Sequence, residues 1–268
     1  DWCSNAFIDN NVLRAEEEEG DHVIEIHGAS SIISNNDIAE GDRGIYLDWG
    51  HNSLIQGNDI ILGEKTGQEG VVKGIYLERS QNVTILDNDI TGDQVAGDGG
   101  LCAAFIWGIV FDRNSNNNLA IGNFIKSVSE GIDFQDTTGN VFKDGRLSSR
   151  CDTAYPSHAR VAAGGLGYLL NVTFAQTEDL AAAGSGQIYK QWYLSVYVDD
   201  GTDPLEDATV TITNNTGGVV HQNSTNAFGW ALKMPIAEKI VTSGGDVSLS
   251  NYTITASKEG YLNNSTEL

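Results

Sequence analysis

The chain has 268 residues, with 37 Asp and Glu against 15 Lys and Arg and a formal charge of −22. That balance argues against nucleic acid and anionic membrane surfaces as partners, because every phosphate would meet net negative charge. A 40% hydrophobic content marks a globular chain, and no apolar run approaches the ~18 residues that a membrane span needs. The opening at Asp1, without an initiator methionine, predicts a mature or excised segment of something longer.

From the N-terminus, two phrases alternate. The first is Gly44-Ile45-Tyr46-Leu47, Gly74-Ile75-Tyr76-Leu77, Gly108-Ile109-Val110-Phe111 and Gly131-Ile132-Asp133-Phe134. The second is Asn36-Asp37-Ile38, Asn58-Asp59-Ile60, Asn88-Asp89-Ile90 and Asn123-Phe124-Ile125, with Asn10-Asn11-Val12 as an earlier copy. From each Gly phrase to the next Asn the distance is 14, 14 and 15 residues, whereas from Asn to the next Gly phrase it is 8, 16, 20 and 8. One half of the repeat is fixed and the other carries insertions, around 63–73 and 92–107. Apolar residues alternate within the Gly phrase, which is the period of a strand with one buried face. Glycines and asparagines between strands supply turn conformations that β-branched residues resist. Short strands, fixed turns and a shortest period of 22 residues predict a parallel β-helix. Asn10, Asn36, Asn58, Asn88 and Asn123 are expected to form its inward ladder.

Past 140 the repeat fades, and 168–174 alternates again as a last coil or cap. Trp192–Val198 then reads as a long strand, followed by an Asp-rich turn at 199–207 and short strand candidates at 208–212, 218–221, 229–233 and 252–257. This spacing suggests a small antiparallel sandwich. Seven Asn-x-Ser/Thr sequons occur, at Asn82, Asn171, Asn214, Asn223, Asn251, Asn263 and Asn264. With the acidity, they predict an extracellular, N-glycosylated cell-surface protein, against the alternative of composition bias in turns. Three cysteines, without a CxxC pair, allow a Cys102–Cys151 bridge and leave Cys3 over.

The Asn-x-Ile and Gly-Ile-x-Leu phrases over about 5–150 resemble right-handed parallel β-helix repeat proteins, the group of pectate-lyase-like and NosD-like proteins. That group includes polysaccharide lyases and hydrolases, adhesins and surface proteins. Pro204–Val210, Asn226–Gly229 and Ala256–Tyr261 are similar to carboxypeptidase-regulatory-like, immunoglobulin-type domains of archaeal and bacterial surface proteins. The expected architecture is all-β: a β-helix with its cap over 1–190, then an Ig-like sandwich over 191–268. Such a domain has one more strand after the Gly-Tyr turn, and this one looks short of it.

Within the Gly phrase, Ile45 and Leu47 point inward, so Tyr46 and Asp48 point outward. Stacking puts Asp48, Glu78 and Asp112 in one outward column about 5 Å apart, with Arg79 and Arg113 directly following and Trp49 beside them. Through the resemblance, acids with arginine and Ca²⁺ imply a polysaccharide lyase, and a carboxylate pair implies acid–base hydrolysis. The plain alternative is a solvated repeat face. Tyr46 and Tyr76 offer a sugar platform or ordinary cross-strand packing. Asp199, Asp200 and Asp203 supply oxygens for Ca²⁺ or form an uncoordinated hairpin. Five histidines show no metal-ligand spacing, and neither a serine-nucleophile elbow nor a phosphate loop occurs. Two function classes stand open. One is a structural or adhesive protein, self-assembling by strand donation between copies or binding cell-surface glycans. The other is a secreted polysaccharide lyase or hydrolase.

Overall fold

The computed structural model describes residues 4–15, 22–39, 43–63, 71–92, 106–149, 157–174, 179–249 and 251–268. All regular structure among them is β, and none forms a helix long and apolar enough to cross a membrane. The chain divides into two units, residues 1–188 with 241–245, and residues 189–240 with 246–268.

In the first unit each coil gives one strand to each of three parallel sheets. The first sheet begins Phe7–Asp9, Ile32–Ser34, Leu54–Gln56 and Thr84–Leu86, and the second Val12–Arg14, Asp37–Ala39, Asp59–Leu62 and Asp89–Gly92. The third holds His22–His27, Arg43–Asp48, Val72–Glu78, Ile106–Asp112, Glu130–Phe134, Ser157–Val161 and Leu180–Ala182. Register is strict, as in Ile45↔Ile75, Ile75↔Ile109 and Ile109↔Ile132, so identical apolar residues stack into one continuous core. Phe111 and Phe134 stack within it at 5.5 Å between ring centroids.

The Gly phrase has a cause other than turn chemistry. Gly44, Gly74, Gly108 and Gly131 do not adopt left-handed φ. A Cβ on each would instead lie 2.5–2.7 Å from the carbonyl oxygen of the residue stacked on the next coil, Gly74, Gly108, Gly131 or His158. Only glycine permits that approach.

The ladder differs from expectation by one residue at its start. Asn11, not Asn10, hydrogen-bonds Asn36 through both its backbone N–H and its side-chain amide, and the chain of amides continues through Asn58, Asn88 and Asn123. Asn10 occupies the left-handed turn just before (φ 55). A second ladder, unforeseen, changes residue type along its length. Ser31 and Ser53 accept from the preceding coil's backbone N–H, and Asn118 and Asn140 take over that role further along.

The second unit is a small β-sandwich. Val219–Ser224, Thr209–Thr213, Thr253–Ser257 and Asn264–Glu267 form a four-stranded antiparallel sheet in that order. Gln187–Tyr197, Trp230–Thr242 and Gly245–Ser248 are neighbours in another. Val210, Ile212, Met234, Ile236, Tyr252 and Ile254 pack between them. The strand expected to be missing is present: Asn264–Glu267 pairs with Thr253–Ser257 from Thr253↔Glu267 to Ala256↔Asn264. It is polar and exposed throughout, so it carries no apolar alternation for a sequence reading to detect. Cys3, Cys102 and Cys151 lie outside the described residues, as do 64–70 and 93–105 of the two insertions.

Candidate functional site

The outward face of the third sheet carries three columns of side chains. In register, the first is His22, Arg43, Lys73, Trp107, Glu130 and Ser157, and the second is Glu25, Tyr46, Tyr76, Val110, Asp133 and Arg160. The third is His27, Asp48, Glu78 and Asp112.

This face is not the solvated surface of a repeat. Asp48 and Glu78 are 6% and 5% exposed, and Tyr46 and Tyr76 are as deeply buried. Buried charge must be paired, and here the pairing runs between coils. Trp49, Arg79 and Arg113 each follow the last outward residue of a strand in left-handed conformation, with φ between 46° and 57°. Such φ is uncommon for these residue types. From those turns each arginine reaches one coil back. Arg79 grips Asp48 with two bonds of 2.8 and 2.7 Å, and Arg113 reaches Glu78 at 2.5 Å. The tyrosines reach one coil forward, Tyr46 donating its hydroxyl to Glu78 and Tyr76 to Asp112, each at 2.8 Å. Burial pushes the Glu78 carboxyl up, but donation from Tyr46, Arg113 and Tyr76 outweighs it, and its pKa falls below the ordinary glutamate value. Burial and the carboxylates raise both phenols.

The tyrosines are therefore not an open sugar platform. Their rings stack on each other at 5.1 Å, and Lys73 Nζ covers the Tyr76 ring at 3.6 Å. The structure brings Asp48, Glu78, Asp112, Arg79 and Arg113 together, but it spends them on one another. Asp199, Asp200 and Asp203 do not converge on an ion site. The Asp200 carboxylate accepts from Thr202 and Asp203 of its own turn, and no cluster of three or more metal-ligating residues occurs among the described residues. Of the sequon asparagines, Asn82, Asn171, Asn223, Asn251, Asn263 and Asn264 are exposed and Asn214 is half-buried.

A second group on the same face went unnoticed in the sequence. Arg160 binds Asp133 at 2.8 Å and lies 3.3 Å from Glu130, so one guanidinium faces two carboxyls. Gln135 also donates to Asp133. Burial raises Asp133, although Arg160 opposes it. Burial raises Glu130 to about 7, with Arg160 opposing and Asp133 adding repulsion. Beside them, burial and then Arg43 lower the Lys73 ammonium to about 8. Trp107 Nε1 is buried without a hydrogen-bond partner, and Glu130 Oε2, which accepts no hydrogen bond of good geometry, is the oxygen that Arg160 Nε approaches. The signal was a departure from the repeat: Asp133 stands where other copies carry Tyr46, Tyr76 and Val110.

Position adds to this. In the sequence, the segments between second-sheet and third-sheet strands are the ones that vary in length, and each leads into a strand that opens with Arg43, Lys73, Trp107 or Glu130 at or near its start. Loops on a rigid scaffold are where function concentrates. The neighbouring coils make that link over 93–105 and 150–156, but the coil bearing Glu130 makes it through Ser129 alone.

Among known proteins, the family described as right-handed beta helix region matches residues 2–144. No curated protein matches. Similar solved structures include DFA-IIIase from Arthrobacter chlorophenolicus A6 without its lid (15% identity, TM-score 0.46, covering 68% of this chain and 47% of that one). They also include DFA-IIIase from the same organism (16%, 0.44, 68% and 43%) and its complex with GF2 (15%, 0.43, 65% and 44%). The chain spans less than half the length of these proteins.

Proposed function

The chain belongs to the right-handed β-helix family, and on that premise we propose that it is an exported glycoside hydrolase acting on an extracellular polysaccharide, with the outward face of the third sheet as its working surface. The observation that carries this reading is Glu130. A buried carboxyl held protonated to near neutral pH, set beside Asp133 across the Arg160 guanidinium, is what protonation of a departing glycosidic oxygen requires. Asp133, fully buried, positions Arg160 rather than touching substrate.

Hydrolysis is favoured over elimination because Arg79, Arg113 and Arg160 already hold Asp48, Glu78 and Asp133. The strand-donating polymer loses part of its premise with the last sandwich strand in place. The immunoglobulin-type assignment of the sandwich and glycosylation at the exposed sequons belong to this extracellular reading, and mass spectrometry of protein from its native host checks the latter.

The test is release of reducing ends from a panel of neutral polysaccharides, with ultraviolet absorbance monitored on polyuronates. The expected result is release from a neutral polymer, unchanged by EDTA, with an alkaline limb near pH 7 and loss of activity in Glu130→Gln. Unsaturated products from a polyuronate, or no release across the panel, overturns the reading.

A further inference from the structure

The outward face of the first sheet is unlike the other two. Its first six coils stack Phe7, Ile32, Leu54, Thr84, Leu119 and Val141 into one outward column. The column beside it opens on Asp9, passes Ser34, Gln56, Leu86 and Ile121, and ends on Lys143. The residue between the two columns, such as Ile33, Ile55 or Ile85, points inward and is buried. The outward apolar side chains take no part in that core. Phe7 is 69% and Ile32 38% exposed, and the others are partly exposed.

In a chain of charge −22, this stripe of about 24 Å carries two charges, one at each end. They are opposite in sign, and neither meets its opposite within the chain. The exposed Asp9 carboxylate accepts from the neutral Ser34 and Asn35 at 2.7 and 2.9 Å, which hold its pKa below the ordinary aspartate value. The Lys143 ammonium meets no carboxylate, hydroxyl or ring among the described residues, although the chain holds 37 acidic side chains.

We propose that this face closes on the same face of a second copy, with the two stacks of coils running in opposite directions. A two-fold axis along the strand direction sets the first coil of each copy against the sixth of the other. Asp9 then meets Lys143 at both ends of the contact, and Ile32 meets Leu119 between them. The turns that bound the face fit the same arrangement. Asn10, Asn35, Gly57, Asp87, Gly122 and Asp144 hold equivalent turn positions. Asp144 therefore faces Asn10, Asp87 faces Gly57, and no acid meets an acid. The other closed arrangement runs both stacks the same way, which sets each coil against its own counterpart and exchanges the two columns. Asp9 would then be buried against Phe7 and Lys143 against Val141, each a charge without a partner. A closed two-fold contact uses the same patch on both copies and stops at two. The stripe is smaller than the ~800 Å² per partner of a standard interface, so the dimer is reversible. The proposal stands apart from the hydrolase reading, because Glu130 lies on the third sheet.

The experiment is sedimentation equilibrium of the full chain, made without glycans because the sequon residue Asn82 lies in the turn before Thr84. A reversible monomer–dimer equilibrium is expected. Lys143→Glu or Asp9→Lys alone sets like charges together at both ends and weakens the dimer about tenfold. Both changes in one chain restore it to within about threefold, because each pair re-forms with its signs exchanged. Leu119→Asp sets a carboxylate against Ile32 twice and weakens the dimer about a hundredfold or more. All variants are expected to keep the parent's circular dichroism, since none of these side chains enters the core. A chain that stays monomeric at millimolar concentration overturns the proposal, whatever else then binds the face. So does growth beyond two copies, or a double charge exchange that fails to recover what the single changes lose.

Discussion

One face of the third sheet contains two neighbourhoods built from the same kinds of residue and solved in opposite ways. Around Asp48 and Glu78, each buried carboxylate is matched: arginines reach back one coil, tyrosine hydroxyls reach forward one coil, and the pKa of Glu78 falls. Around Glu130, one guanidinium serves two carboxyls, an indole N–H is left unmatched, and the pKa of Glu130 rises. The first neighbourhood is what a repeat protein does to make a charged face rigid. The second carries a cost in stability of the kind that clusters at functional sites. Carboxylates in the right column therefore do not identify a site. What identifies it is which of them stay unsatisfied.

The largest expected effect breaks the satisfied side. Glu78→Ala removes the acceptor of two phenols and the partner of Arg113, leaving buried donors unmatched. A loss of about 3 kcal/mol in denaturant unfolding is expected at pH 7, shrinking as pH falls, because the depressed carboxyl gives its stability above the ordinary glutamate value. A loss under 1 kcal/mol would remove the contrast between the two neighbourhoods.

Next comes Glu130→Gln, whose effect depends on pH. The folded-state pKa, about 7, lies above the ordinary 4.5, so the folded protein holds this proton more tightly than the unfolded chain. The stability this brings is fully present below pH 4.5 and is lost as pH rises through 7. The variant cannot ionise, so it should match the parent at pH 3 and exceed it by about 2 kcal/mol at pH 8. Urea midpoints at the two pH values decide it.

Most of the architecture was legible from spacing. The fixed 14-residue segment between Gly44 and Asn58, repeated between Gly74 and Asn88, is the stretch that must stack, and insertions were confined to the other half. The direction of the side chains was legible too. Their burial was not, because it depends on contacts between residues far apart in sequence, Arg79 with Asp48 and Arg113 with Glu78, which no local pattern encodes. Asn10 was taken for Asn11 because the two are adjacent and identical, and only the hydrogen bond to Asn36 separates them. The strand Asn264–Glu267 stayed hidden because hydrophobic periodicity cannot report a polar edge. Glu130 and Asp133 sat inside a phrase read as copies of Gly-Ile-x-Leu. Attention went to what repeated, and the candidate chemistry lay where the repeat was broken.

The third expectation concerns Lys73, between the two neighbourhoods. Its pKa, lowered from 10.5 to about 8, means that the folded state disfavours the charged form. That cost is full below pH 8 and vanishes as pH rises through 10.5. Its contact with the Tyr76 ring offsets part of the cost. Lys73→Met should therefore gain about 1 kcal/mol at pH 7 and nothing at pH 10.5, read from thermal or urea unfolding. A loss at pH 7 would mean that the ring contact outweighs burial, and that Lys73 belongs to the satisfied side.

The smallest expected effect is on stability alone. Trp107→Phe keeps an aromatic ring beside Val110, trims the fused ring of the indole and deletes an N–H that has no partner. In a site evolved for folding, removing a buried tryptophan's polar group breaks a bond and costs stability. Here no bond exists to break, so relief of the orphaned donor should nearly offset the lost ring volume and the weaker cation contact from Lys73 and Arg160. The unfolding free energy is expected to stay within about 0.5 kcal/mol of the parent. That result leaves the indole N–H without a part in holding the fold. A loss above 1.5 kcal/mol would mean that the indole N–H has a partner in solution, and the two halves of the face would then differ in degree only.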